Sequence, residues 1–297
     1  MATWANTSAT IKSAANTLLW DEAAGFYKDN ETTTLHPQDG NVWSIISGIA
    51  SPSRAITVST NLAARWGPYG GPAPEAGTAV SPFISSFELQ AHFLAGQPQN
   101  AIELMRFMYA DFMLDDPRMT NSTFIEGYSF NGDLHYPAYE NDARISHSHG
   151  WSAGPIVALT NYVAGLHVLN STNWIVHPQP GNLTSVEAGF NTGSGEYSAN
   201  YTATADGSQY RFSTPTGTTG ELLLDVPECA AHVRVRSVDK GRGKYGYKMS
   251  TLVEGYHGAN PAACGYWGPR SGRDGPNGTI SVMNLEGGKY VVDIRCV

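Results

Sequence analysis

The sequence predicts a multidomain chain, helical over residues 1–172 and an antiparallel β-sandwich over residues 173–297. Three observations carry this. Apolar residues recur at i, i+3, i+4 and i+7 in six successive stretches, the spacing of amphipathic helices. From about Trp174 the texture changes to short runs alternating apolar and polar residues, the pattern of half-buried strands. Between the two stand Pro178, Pro180 and Gly181, which read as a linker.

The first helix is expected from about Thr7 to Trp20, with Ile11, Ala14, Ala15, Leu18 and Leu19 on one side. A second follows Asp39 as its N-cap and carries Val42, Ile45, Ile46 and Ile49. A third opens at Ser51-Pro52, an N-cap followed by proline at the first helical position, and ends at Gly67-Pro68. A fourth opens the same way at Ser81-Pro82 and stops at Gly96. A fifth starts at Asn100 with Glu103 three residues on, a capping-box spacing, and ends at Pro117. A sixth follows Gly154-Pro155 and carries Ile156, Leu159, Val163 and Leu166. Six such helices suggest three helical hairpins. Residues Leu114 to Gly150 show no helical period; a connection that long inside a compact domain is functional or disordered, and its many aromatics favour function. Strands are expected at Tyr197–Tyr201, Gln209–Phe212, Glu221–Asp225, His232–Val238, Thr279–Val282 and Lys289–Cys296, the last with Tyr290, Val292, Ile294 and Cys296 on one face.

Composition narrows the function. Charged residues are 15% and hydrophobic ones 41% of 297 residues, a globular balance. A net charge of −8 gives no basic footprint for nucleic acid. No stretch approaches the roughly 18 apolar residues of a membrane span. Asn-x-Ser/Thr occurs at Asn6, Asn30, Asn121, Asn170, Asn182, Asn200 and Asn277, which points to a glycosylated, secreted protein. Cys229, Cys264 and Cys296 allow one disulfide and one thiol, with the pairing open. Met1-Ala2-Thr3-Trp4 enters helical sequence directly, without a signal peptide; an N-terminal part of a longer protein is expected to be missing.

The long connection holds the strongest candidate, Glu126 in Phe124-Ile125-Glu126-Gly127-Tyr128-Ser129. A carboxylate among aromatic and hydroxyl groups suits a general base, its pKa raised by apolar surroundings; the competing reading is a loop glutamate that bonds backbone amides. Ser146-His147-Ser148-His149-Gly150-Trp151 stands at the entrance to the sixth helix. There His149 can donate to a sugar hydroxyl and Trp151 can pack on a ring's apolar face. A metal reading of His135, His147 and His149 is weak, because no carboxylate stands at a recognised metal spacing. Glu75, in the Gly/Pro loop from Gly67 to Gly77, either reaches a cleft or faces water. Phosphate loop, dinucleotide fingerprint, Gly-x-Ser-x-Gly elbow and His-Glu-x-x-His are absent, and no cofactor or metal is expected.

In order along the chain stand Leu19-Trp20-Asp21 with Gly25-Phe26-Tyr27, Pro37-Gln38-Asp39-Gly40-Asn41, Ser81-Pro82-Phe83-Ile84 with Glu88 and His92-Phe93, Ser122 to Tyr128, and His149 to Pro155. This ordered set resembles the fungal branch of the six-hairpin α-L-rhamnosidases, of the glycoside hydrolase family 78 type. The resemblance covers residues 1–170, and the tail resembles the family's C-terminal sandwich more loosely. It implies a partial (α/α)6 barrel and inverting hydrolysis of terminal α-L-rhamnosides, with a carbohydrate or rhamnosylated glycoside as partner. Glu126 is then the general base, His149 contacts the sugar, Trp151 helps form the cleft, and Tyr128 joins them in binding substrate. An inverting enzyme needs two carboxyl groups about 6.5–9.5 Å apart. The family's general acid lies in an Asp/Arg/Glu-rich motif ending in Gly-Trp-x-Gly-Asp or similar, and this sequence has no such motif. A full barrel has twelve helices. The expectation is therefore an incomplete catalytic domain, with little activity alone and an exposed half-barrel surface prone to association. A six-hairpin lyase or glycosidase on another sugar, and a non-catalytic carbohydrate-binding secreted protein, are the alternatives.

Overall fold

The computed structural model describes residues 2–225, 231–240, 247–257 and 279–296. The chain divides into two compact units, Met1–Ala158 and Leu159–Val297. The division falls earlier than the 172/173 boundary expected from sequence. The reason is that Leu166–Val168 and Asn173–Val176 pair as strands and belong to the second unit, so Pro178 to Gly181 lie within it.

The first unit contains α1 (Ala2–Leu18), α2 (Gln38–Ile46), α3 (Pro52–Ala63), α4 (Pro82–Leu94), α5 (Pro98–Leu104) and α6 (Gly154–Val157). Two short ribbons, β1 (Trp20–Asp21) with β2 (Phe26–Tyr27) and β3 (Ala79–Val80) with β4 (Tyr128–Ser129), complete it. α4 is the most buried helix, packed on by α2, α3, α5 and α6. The core beside it joins Phe26 and Tyr27 to Val42, Ile45, Val58, Leu62 and Ala91.

Local signals set some helix starts and not others. Ser51 accepts a bond from the Arg54 amide at 3.3 Å, with Pro52 behind it. Pro82 opens α4, and Gly96, at φ +69°, follows its end. Asp39 does not cap α2. It sits in the first turn, while the Glu75 carboxylate arrives from a distant loop to accept from the Gln38 and Asp39 amides at 2.9 and 3.1 Å. A negative group at the positive end of the helix dipole is favourable there, so Glu75 has a helix end as its partner. The Asn100–Glu103 box does not form either. Pro98 sets the start of α5, Asn100 donates to Ser59 at 3.3 Å, and Glu103 pairs with Arg106 at 2.6 Å. α5 continues as a π-helix over Met105–Phe112. The sixth helical stretch is α-helical only over Gly154–Val157 and π-helical over Ala158–Val163, and Leu166 is a strand residue. The expected apolar side of α1 is covered only in part: Leu19 packs on the core and Ala15 is half-buried, while Ile11 and Leu18 are exposed, as is Trp4.

The second unit contains β5 (Leu166–Val168), β6 (Asn173–Val176), β7 (Ser185–Thr192), β8 (Gly195–Thr204), β9 (Gly207–Ser213), β10 (Thr219–Asp225), β11 (Ala231–Lys240), β12 (Tyr247–His257), β13 (Thr279–Glu286) and β14 (Lys289–Cys296). They form a four-stranded sheet, β13-β10-β6-β5, and a six-stranded sheet, β12-β11-β14-β9-β8-β7. Leu166, Trp174, Leu222, Leu224 and Val282 from the first meet Tyr197, Tyr210, Phe212, Val235 and Val292 from the second in one core, which makes a sandwich. It is not wholly antiparallel: β6 and β10 run parallel, because the strands between them in sequence go to the other sheet. Tyr290, Val292 and Ile294 share the core face as expected, and Val291, on the other face of β14, is nonetheless as buried as Tyr290. Of the three cysteines only Cys296 lies among the described residues, and it is disulfide-bonded; Cys229 and Cys264 lie outside them.

Candidate active site

The connection from Leu114 to Gly150 is folded back on itself by its polar groups. Asn121 donates to the Leu114 carbonyl at 2.7 Å, and Arg118 to the Gly132 carbonyl at 2.9 Å. Two stretches are laid side by side. The Glu126 amide donates to Ser146 O and the His149 amide to Phe124 O, both at 2.8 Å, while Thr123 donates its hydroxyl to His147 O at 2.6 Å. Ser152, fully buried, donates to Ile125 O at 2.9 Å. This lateral pairing brings Glu126 and His149 together across 23 positions of sequence, a juxtaposition no local pattern encodes. From below, Tyr109 of the π-helix sets its ring edge-on to Phe124 at 5.5 Å and donates to Pro82 O at 2.9 Å. The segment bearing Glu126 is thereby tied to the start of α4.

Glu126, His149 and Trp151 line one hollow with Ser81, Phe83 and Tyr136, with a volume of about 310 Å³. Trp151 is 72% exposed and stands edge-on to Phe83 at 6.2 Å. Tyr136 lies so close to the chain that a Cβ at position 127 would meet its ring at 2.4 Å, so any residue but glycine there would displace Tyr136 from the hollow's wall. Glu126 is the one carboxylate in this lining among the described residues. Its side chain is 16% exposed, with Oε2 at 4.0 Å from His149 Nδ1. Ser146 N–H donates to Oε2 at 3.0 Å, and Tyr139 O–H donates to Oε1 in a short bond.

The electrostatics of Glu126 differ from the expectation of a raised pKa. Burial does push the carboxyl up. The Tyr139 hydroxyl, the Ser146 amide and the His149 ring outweigh it, and the group is held below the ordinary carboxylate value. It is therefore ionised at neutral pH and can accept a proton or orient a water. It is not arranged to donate one. From sequence Ser146 stands only in the segment entering the sixth helix and Tyr139 carries no signal, because each reaches Glu126 only once the loop has closed.

Tyr128 does not belong to the hollow. Its ring is fully buried against Phe112 at 4.8 Å, and its hydroxyl donates to Tyr69 O at 2.6 Å. With no exposed surface it cannot touch a ligand, and its place among substrate-binding residues is corrected to the core. His135 pairs with Asp142 at 2.8 Å. Among the described residues no three His, Cys, Asp or Glu side chains converge as a metal site would need.

A second acidic cluster lies inside the unit. Glu88 of α4 is buried and accepts from Trp66 Nε1 at 2.6 Å and from Gln38 Nε2, with His92 Nε2 at 3.3 Å. His92 Nδ1 lies 2.7 Å from Ser59 Oγ. Burial pushes the Glu88 carboxyl up, and His92, Gln38 and Trp66 pull it below its ordinary value.

Residues 172–239 match the family model described as the bacterial alpha-L-rhamnosidase C-terminal domain. Among solved structures, the chain is similar to an alpha-L-rhamnosidase from Dictyoglumus thermophilum, with TM-score 0.61 and 15% identity over 99% of this chain and 28% of that one. It is also similar to a Streptomyces avermitilis alpha-L-rhamnosidase complexed with L-rhamnose, with TM-score 0.54 and 15% identity over 98% of this chain and 24% of that one. At that identity the likeness is one of fold. The chain spans about a quarter of the length of these solved chains. No curated protein sequence matches it.

Proposed function

We propose that this chain is part of a glycoside hydrolase of the α-L-rhamnosidase type, of the branch that its ordered motifs resemble, and that Glu126 is the base of an inverting reaction on terminal α-L-rhamnosides. One observation carries the reading. A carboxylate held ionised by Tyr139, Ser146 and His149 stands in the wall of an aromatic-rimmed hollow with Trp151. In such a site the Glu126 carboxylate takes a proton from water as the water attacks the anomeric carbon. A second carboxyl group, about 6.5–9.5 Å away, protonates the departing oxygen. His149 then bonds a sugar hydroxyl, and Trp151 covers an apolar ring face.

The helices of the first unit are part of an (α/α)6 barrel in this reading, with α1 and its exposed Trp4, Ile11 and Leu18 facing the remainder. The protein acts outside the cell. Five described Asn-x-Ser/Thr acceptors, Asn6, Asn30, Asn121, Asn170 and Asn182, are exposed, which suits glycosylation.

Leaving-group chemistry tests the assignment. A dinitrophenolate departs without an acid's help, so a site holding only the base should hydrolyse dinitrophenyl α-L-rhamnoside slowly and leave unactivated rhamnosides intact. Glu126→Gln should lower the activated turnover by about 100-fold or more, the low end of what general bases contribute. Equal rates in wild type and Glu126→Gln would remove the catalytic assignment. Full-rate cleavage of unactivated rhamnosides would remove the incompleteness.

A further inference from the structure

A hollow larger than the one beside Glu126 lies on the second unit. Strand register identifies its floor. Glu187, Asn200, Arg211, Val291 and Arg236 stand opposite one another across β7, β8, β9, β14 and β11. Ser198, Ser213 and Lys289 form a second such row. Side chains alternate along a strand. The rows between these carry Tyr201, Tyr210, Val292 and Phe212, which face the sandwich core. The polar rows therefore share the outer face, and they line a hollow of about 670 Å³ together with Glu196 and Gln209.

This lining differs from a simple solvated sheet face in two ways. It is recessed, where an ordinary outer face is open. Its charges are also sorted: the cations Arg211, Arg236 and Lys289 stand on β9, β11 and β14, and the acids Glu187 and Glu196 on β7 and β8. Asp293 neutralises Arg236 and also accepts from Gln209 at 2.7 Å, which fixes that corner. Arg211 and Lys289 are exposed and engage no acidic partner among the described residues. Between cations and acids lie the Asn200 amide and the Ser198 and Ser213 hydroxyls. Carboxylate recognition by a guanidinium is a charge-assisted, bidentate interaction. Amides, hydroxyls and carboxylates are the groups that exchange hydrogen bonds with sugar hydroxyls.

We propose that this recessed face binds an acidic oligosaccharide, with a uronate carboxylate on Arg211 and Lys289 and neighbouring hydroxyls on Asn200, Ser198 and Glu187. The site is independent of the Glu126 reading and persists if that fails. Asn200 of the Asn-Tyr-Thr acceptor stands in the floor, so the proposal requires that position to carry no glycan, and a glycan found there on the secreted protein would overturn it.

The test uses the full chain produced without N-glycans and isothermal titration with an oligogalacturonate. A neutral oligosaccharide of equal length and polyglutamate serve as the comparison probes. The oligogalacturonate should bind at least tenfold more tightly than either, and more weakly as salt rises. Arg211→Ala combined with Lys289→Ala, both exposed and so harmless to the fold, should raise its Kd at least tenfold, with Glu126→Gln leaving it unchanged. The proposal is overturned by absent binding, by equal affinity for the neutral sugar or polyglutamate, or by unaltered affinity in the double variant.

Discussion

Two glutamates of the first unit have nearly the same companions and opposite situations. Glu88 is surrounded by His92, Trp66 and Gln38 in the interior, and Glu126 by His149, Tyr139 and the Ser146 amide at the edge of a hollow. Both carboxyls are pushed up by burial and pulled below the ordinary value by hydrogen bonds and a histidine. The ionised state alone therefore does not distinguish a working carboxylate from a structural one. Access does. Both carboxylate oxygens are engaged in each case, but Glu88 is sealed in the interior, whereas Glu126 borders a hollow of about 310 Å³. A serine, a histidine and a glutamate in sequence, as at Ser59, His92 and Glu88, have the composition of a nucleophilic triad and here are sealed packing.

The sharpest way to break the comparison is Glu88→Ala. It leaves the buried donors of His92, Gln38 and Trp66 without an acceptor, and removing one partner of a buried ionic pair costs about 3–5 kcal/mol. Denaturant unfolding should show that loss, against under about 1 kcal/mol for Glu126→Gln. The sign with pH follows from the lowered pKa. Glu88 stabilises fully above the ordinary carboxylate value of 4.5. Its contribution is lost as pH falls through the lower folded-state pKa, so wild type and variant should converge in acid. A constant gap down to strong acid would mean that packing, not charge, sets Glu88's role.

Tyr128→Phe is a smaller probe. It deletes one buried hydrogen bond, to Tyr69 O, worth about 1 kcal/mol. Thermal or denaturant unfolding should register it, while turnover of dinitrophenyl α-L-rhamnoside stays as in wild type. A change in turnover with unchanged stability would return Tyr128 to the site. The least disruptive variant, Tyr139→Phe, removes a donor that lowers the Glu126 pKa. Carboxyl carbon NMR should find Glu126 titrating at higher pH than in wild type, with the fold intact. An unmoved titration would show that Ser146 and His149 suffice.

What could be read from sequence was what neighbouring residues decide together. Ser51-Pro52 and Ser81-Pro82 start helices through their own backbone preferences, and β8, β9 and β14 announce themselves by alternation. Pro98 overrode the Asn100–Glu103 pattern because a fixed backbone angle at the first helical position constrains more than an optional side-chain bond. β7 escaped notice because its inward residues, Val186, Ala188 and Phe190, vary widely in size. The closeness of Glu126 to His149 came from the ordered motifs. Tyr139, Ser146 and the remote carboxylate on α2 could not, since each depends on where a long loop returns. Tyr128 was misassigned from its closeness to Glu126 in sequence: between the two residues the chain leaves the wall of the hollow and enters the core, where Tyr128 packs on Phe112.

The parallel pairing of β6 with β10 also constrains the order of assembly. Trp174 donates its indole N–H to Thr218, 44 residues further on, and its ring occupies the space where a side chain at Gly220 would stand, 2.1 Å away. While the hairpin of β8 and β9 can zip locally, this indole waits uncovered until β10 has been synthesised and threaded beside β6, with β13 closing over β10 later still. The last stage of folding is thus expected to wait on later chain, and burial of the Trp174 indole should be among the last signals to reach its native value.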